Sequence, residues 1–174
     1  VRKVDNWLKA NGCKIRYSLG GGASEEGGAT LVTYFMNEET KTNETGLPLE
    51  PHVHVKLVDD DGNLITGDEV LGNLHATSPA AADRYLDNPE ATAERWYVDD
   101  EGTKWGVTGD IAVRHADGSY NILGRASDSY VNEKGERIYL FQIEYSLDEE
   151  DPILEWEISA FKNECGGHDV VGQV

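Results

Sequence analysis

The sequence predicts an α+β fold, mainly antiparallel β, followed by a shorter α+β stretch. Three observations carry that reading. Between Gly46 and Gly124, short runs alternate apolar and polar residues, the period of a half-buried strand. Tight turns join these runs at Asp60-Asp61-Gly62-Asn63 and Asp117-Gly118, where an Asp or Asn beside glycine suits the positive φ of a hairpin. After Asp128 the texture becomes a mixture of hairpin and helix signals, which sets a boundary near Ala126 to Ser129.

The elements follow in order. Val4, Trp7 and Leu8 recur at helical spacing, and Asn11-Gly12 ends that helix as a C-cap. Ile15, Tyr17 and Leu19 alternate as a strand that ends in the glycine-rich run Gly20 to Gly28, and a β-rich stretch follows from Ala29 to Met36. Val53, Val55 and Leu57 form a strand that turns back into Leu64-Ile65, and Val70 to His75 adds another. Ile111 to Arg114 and Tyr120 to Leu123 make a hairpin, so this stretch reads as a barrel or a sandwich. Beyond the boundary, Tyr130-Val131 and Arg137-Ile138-Tyr139 flank a turn at Lys134-Gly135. Phe141 to Leu147 suits a short helix with Ile143 and Leu147 on one face. Ile153 to Phe161 alternates strictly and pairs antiparallel with His168 to Val174.

Composition bounds the function classes. At 174 residues with 39% apolar content, the chain has room for one core, or for one domain and part of another. No apolar run approaches the roughly 20 residues of a membrane span. The first residues lack the apolar stretch of a signal peptide. Cys13 and Cys165 lie far apart beside glycines, the usage of a reducing cytoplasm. Net charge is −18, and the acid excess begins after the first sixteen residues, which hold five basic side chains and one acid. So acidic a surface repels phosphate backbones and anionic lipid heads, which disfavours nucleic-acid and membrane-surface partners. A start without Met and an end inside the apolar run Val170 to Val174 lead us to expect a piece of a longer polypeptide.

Three features carry candidate chemistry. The turn Gly20 to Gly28 holds Ser24 and Glu25; its glycines let a ligand approach the backbone, and the carboxylate can hold Mg²⁺. In Trp105-Gly106-Val107-Thr108-Gly109-Asp110, the aspartate can accept hydrogen bonds from both hydroxyls of a ribose. In Gly124-Arg125-Ala126-Ser127-Asp128, the arginine can hold hydroxyls or phosphate and Asp128 can serve as a pivot. Taken singly, each also reads as an ordinary turn or a surface ion pair. His52 and His54 share a strand face without a third ligand at convincing spacing, and Asp59-Asp60-Asp61-Gly62 lacks the alternation of a calcium loop.

In order, these features resemble the adenylate-forming (AMP-binding) superfamily of acyl-CoA synthetases, aryl-CoA ligases and adenylation domains. The resemblance begins at Gly21-Gly22-Ala23-Ser24-Glu25, which is similar to the family's aromatic-Gly-x-Thr/Ser-Glu motif. It continues through Gly46-Leu47-Pro48-Leu49, Gly72-Asn73-Leu74 and Tyr85-Leu86-Asp87-Asn88-Pro89-Glu90-Ala91-Thr92. Trp105 with Thr108-Gly109-Asp110, then Gly124-Arg125 with Asp128, and finally Gly135-Glu136-Arg137-Ile138 with Gln142-Ile143-Glu144 complete it.

The resemblance implies a C-proximal piece of an ATP-dependent carboxylic acid:CoA ligase. Residues 1–126 would be the C-terminal part of the large AMP-binding domain, a distorted barrel-like β subdomain. Residues 127–174 would begin a small mobile α+β domain. It further implies ATP/AMP, Mg²⁺ and CoA as ligands, with a small-molecule carboxylic acid as substrate. Ser24 and Glu25 would be catalytic, with Glu25 the metal ligand. Gly21, Gly22, Ala23, Asp110 and Arg125 would bind nucleotide, Asp128 would be the hinge, and Gly135 would approach the CoA channel.

The pattern is departed from in two places: Gly21 stands where an aromatic usually stacks on adenine, and Ser127-Asp128-Ser129-Tyr130 keeps one acid of a common pair. Neither the phosphate-binding loop nor the late lysine of the family occurs in the sequence, so the chain alone is expected to be inactive. The alternative is a non-catalytic nucleotide- or acyl-binding homologue.

Overall fold

The computed structural model describes residues 2–14, 19–33, 46–134, 136–150, 157–163 and 167–173. Its contacts divide the chain into two compact units, 1–108 with 112–122, and 109–111 with 123–174.

In the first unit, helix α1 (Arg2–Ala10) ends as its sequence dictates: Gly12 takes φ +79° and the Cys13 amide donates to the Leu8 carbonyl at 2.9 Å. Strands β1 (Leu19–Ala23), β2 (Gly28–Thr33) and β3 (Leu47–Pro48) form an antiparallel sheet in that order. The glycines do not end β1; the strand runs through them to Ala23, with a register irregularity between Gly21 and Gly22. A Cβ at Gly22 would lie 2.8 Å from Ala29 Cα and 2.9 Å from Thr30 N, so the two backbones pass at a distance only glycine permits.

The larger sheet contains β4 (His54–Val58), β5 (Leu64–Ile65), β6 (Val70–Thr77), β7 (Trp96–Val98), β8 (Lys104–Arg114) and β9 (Tyr120–Arg125). Its order is β5-β4-β6-β8-β7, with β9 paired to β8. Both expected hairpin turns are present. Asp59 Oδ1 accepts from the amides of Asp61 at 2.9 Å and Asn63 at 2.8 Å, and Gly118 takes φ +83° between β8 and β9. The alternation of β4 and β6 places Leu57 opposite Leu74. These two join Leu31, Ala112 and Tyr120 in the core, against which Val55, Ile65, Val70 and Ile122 pack.

Helix α2 (Pro89–Arg95) is an element that hydrophobic periodicity does not announce, since none of its residues is buried. Its signal is the cap: Asn88 Oδ1 accepts from the Ala91 amide at 3.1 Å and Pro89 occupies the first turn.

In the second unit, β10 (Ser129–Val131) and β11 (Arg137–Tyr139) pair antiparallel, and α3 (Leu140–Glu150) follows β11 directly. Strands β12 (Glu157–Lys162) and β13 (His168–Gln173) form the expected antiparallel pair. The Ile158 amide donates to Glu144 Oε1 at 3.1 Å, which ties β12 to α3. Phe141 lies so close to β9 that a Cβ at Gly124 would sit 2.9 Å from its Cδ1. The parts of predicted strands at 15–18, 34–36 and 153–156, and the turn residue Gly135, lie outside the described residues.

Candidate functional site

Gly21, Gly22 and Ala23 are the last three residues of β1, and Thr30 Oγ1 of β2 donates to the Gly21 carbonyl at 3.1 Å. A 3₁₀ turn, Ser24–Glu26, follows and is closed by Gly27 at φ +78°. Ser24 is exposed and Glu25 half-buried. Glu25 is held twice from the segment after β6: its carbonyl accepts from the Ala82 amide at 2.8 Å, and its Oε1 accepts from the Tyr85 hydroxyl at 2.9 Å. The Glu25 carboxylate, by accepting that bond, pushes the Tyr85 phenol up from its ordinary value. Tyr85 is seated against Trp96, with ring centroids 5.1 Å apart.

Strand β8 carries the second motif. Trp105 Nε1 donates to Asp99 Oδ2 at 2.7 Å and its ring lies 4.0 Å beneath Lys56 Nζ, so the indole is locked in place. Thr108 Oγ1 donates to the Leu74 carbonyl of β6 at 2.8 Å.

In the second unit, Gly109 takes φ +79°, a left-handed residue inside a strand of the kind found at bulges, and its carbonyl accepts from the Ala126 amide at 2.8 Å. Asp110 follows it, with Oδ1 3.1 Å from Arg125 Nη1. The Asp110 carboxylate can take two hydroxyl donors, and the guanidinium beside it holds one of its oxygens in place. Asp128 occupies the turn between β9 and β10: its amide donates to the Arg125 carbonyl at 3.1 Å, and its carbonyl accepts from the Leu140 amide at 3.0 Å. The geometry thus pairs Asp110 with Arg125 and sets Ser24 beside Glu25, while Gly135 lies outside the described residues.

The donor set is compatible with Mg²⁺. Among the described residues no group of three His, Cys, Asp or Glu side chains comes together, which excludes an all-protein metal cage there. Mg²⁺ bound to a phosphate substrate uses one or two carboxylates and keeps its waters, a demand that Glu25 alone can meet. His52 and His54 are exposed.

No family model matches the chain. Comparison with curated proteins is informative instead. An acyl-CoA ligase sidI of Beauveria bassiana is 35% identical over 123 residues, 70% of this chain and 21% of the ligase. An acyl-CoA ligase SID4 of Ajellomyces capsulatus is 30% identical over 171 residues, 95% of this chain and 28% of the ligase. Among solved structures, the O-succinylbenzoate coenzyme A synthetase of Bacillus subtilis in complex with AMP superposes with a TM-score of 0.71 at 19% identity, covering 95% of this chain and 32% of that one. The chain belongs to the adenylate-forming superfamily. It spans between a fifth and three tenths of the length of those two curated ligases.

Two residues of this chain escape a reading of motifs. Glu26, adjacent to Glu25, is buried at 3% exposure and paired with Arg95 from the last turn of α2. Arg95 also donates to the Val107 carbonyl of β8. Their one signal in the sequence is a second consecutive acid, Glu25-Glu26, in a turn so tight that neighbouring side chains diverge.

Proposed function

We propose that this chain is part of an AMP-forming carboxylic acid:CoA ligase, residues 1–126 contributing to its large AMP-binding domain and 127–174 beginning its small mobile domain. In the first half-reaction a carboxylate oxygen of the acid attacks the α-phosphorus of ATP. The bond to the β-phosphate breaks, and pyrophosphate leaves. In the second, the CoA thiol attacks the acyl carbon, loses its proton, and AMP departs. Joining a carboxylate to AMP makes a poor electrophile reactive by supplying a good leaving group.

Each residue has a role in this reading. Asp110 accepts from the ribose hydroxyls, with Arg125 holding its carboxylate in place. The backbone of Gly21, Gly22 and Ala23 runs beside the nucleotide, and Ser24 contacts the α-phosphate region. Glu25 is the ligand for Mg²⁺, which when bound neutralises charge on the phosphates. Asp128 is the hinge and Gly135 is assigned to the CoA channel. The observation that carries the reading is the Asp110–Arg125 pair at 3.1 Å, set directly after the left-handed Gly109.

Gly21 favours a second reading. A flat apolar contact for adenine is missing at that position, as in a homologue that binds nucleotide or acyl ligand without adenylating it. Acid-dependent ATP–pyrophosphate exchange, on the longest natural chain containing this segment and with a pool of aliphatic and aromatic acids, separates the two. Exchange above the no-acid blank supports the ligase; a folded protein that binds ATP without exchange supports the homologue.

A further inference from the structure

Helix α2 touches the 3₁₀ turn through two neighbouring acids. Tyr85, just ahead of the helix, holds Glu25, and its amide donates to Thr92 Oγ1 of the helix at 3.0 Å. Arg95, at the other end of the helix, holds Glu26. The guanidinium is nearly enclosed, its side chain 13% exposed against 2% for Glu26. One nitrogen is committed to Glu26 and the other to the Val107 carbonyl, one residue before Thr108 on β8. Arg95 Nε is buried without a partner, as is Trp96 Nε1. Gly106 makes the space: a Cβ there would stand 3.3 Å from Glu26 Oε1 and 3.4 Å from Trp96 Nε1.

A buried ion pair of this kind is a poor way to gain stability, because both ions must leave water and an apolar pair of similar volume serves as well. What an apolar pair cannot do is fix direction. The planar fork of an arginine bonded to a carboxylate and a carbonyl sets three chain segments in one register. Those segments are α2, the turn that carries Glu25, and strand β8.

We propose that Arg95, acting through Glu26, is a positioning residue that aims the Glu25 carboxylate at the metal of bound Mg·ATP. The proposal rests on the reading above of Glu25 as the metal ligand. Substitution of residues behind a ligand typically weakens metal affinity about tenfold or more.

The test is calorimetric titration of the longest natural chain containing the segment with Mg·ATP and with metal-free ATP, alongside thermal melts. In the wild type, Mg²⁺ is expected to tighten ATP binding. Arg95→Met is expected to lose that gain by about tenfold while metal-free ATP binds within about threefold of wild type. Because Arg95→Met removes the ion-pair partner of the buried Glu26, the double variant Arg95→Met with Glu26→Leu supplies the control. It is expected to recover the melting temperature yet keep the loss of Mg²⁺ dependence. A double variant with wild-type Mg²⁺ dependence overturns the proposal and makes the pair structural only. A wild-type protein that binds no ATP in either form overturns the nucleotide reading itself.

Discussion

Arg125 Nη1 stands 3.1 Å from Asp110 Oδ1 across the β8–β9 hairpin, the arginine side chain 57% exposed and the aspartate 21%. So open a pair contributes about 0–1 kcal/mol to stability. In the proposed function its value lies in the carboxylate it holds for the ribose hydroxyls. Asp110→Ala is therefore expected to melt near the wild-type temperature while ATP use falls about tenfold to a hundredfold, the loss of charge-assisted hydrogen bonds to ribose. His52→Ala, at an exposed position, is the control and should change little. Equal small effects in exchange assays would sink the ribose assignment.

His75 makes stability depend on pH. It is buried on β6, with Nδ1 2.8 Å from the Tyr97 hydroxyl, and burial, aided by the Lys56 charge, pushes its pKa down to about 4. The unfolded chain takes up this proton near pH 6.5, so the native state is fully favoured above that value and loses ground as pH falls toward 4. Urea denaturation at about pH 7 and about pH 4.5 should differ by roughly 2–3 kcal/mol from this group. In His75→Phe the difference should shrink by that amount. An undiminished difference would assign the pH effect to other groups.

Gly22→Ala tests the close passage of β1 against β2. The new methyl meets backbone atoms of Ala29 and Thr30 inside 3.0 Å, and backbone cannot rotate aside as a side chain does. A loss of about 2–3 kcal/mol is expected in denaturant melts. A variant as stable as wild type would show that β1 and β2 separate without loss.

Gly21→Tyr addresses the missing adenine contact. A base stacked on an aromatic ring gains about 1–3 kcal/mol, so ATP should bind about tenfold more tightly. Calorimetry with ATP and with tripolyphosphate distinguishes the cause, because only the former carries a base. Equal tightening of both would attribute the gain to something other than stacking.

The elements legible in the sequence are those with a local physical cause. The α1 C-cap at Gly12, the Asp59 turn and the Asp117-Gly118 turn all rest on residues that select their own backbone conformation. The antiparallel partnership of β12 and β13 follows from alternation on both sides of a break. Helix α2 is harder, because it buries no residue and shows only its cap. Strand β1 was obscured by glycines, which signal a turn by themselves but here permit two strands to crowd together. At the candidate site, Asp110, Arg125, Ser24 and Glu25 stand in short motifs. Glu26 and Arg95 are far apart in sequence, and no local pattern announces a contact between them.

The large sheet also has a consequence for how the chain behaves among its copies. It finishes at β5, only two residues long, and at β7, only three, while the outer edge of β9 is met at Tyr120 by a bridge from Gly46. A strand from another molecule needs a run of unpaired amides and carbonyls as a template, and such brief ends offer little of one. With a net charge of −18 on every copy, approach is repelled before any template is found. At these two ends of the large sheet, among the described residues, the brevity of the terminal strands disfavours edge-to-edge pairing with another molecule.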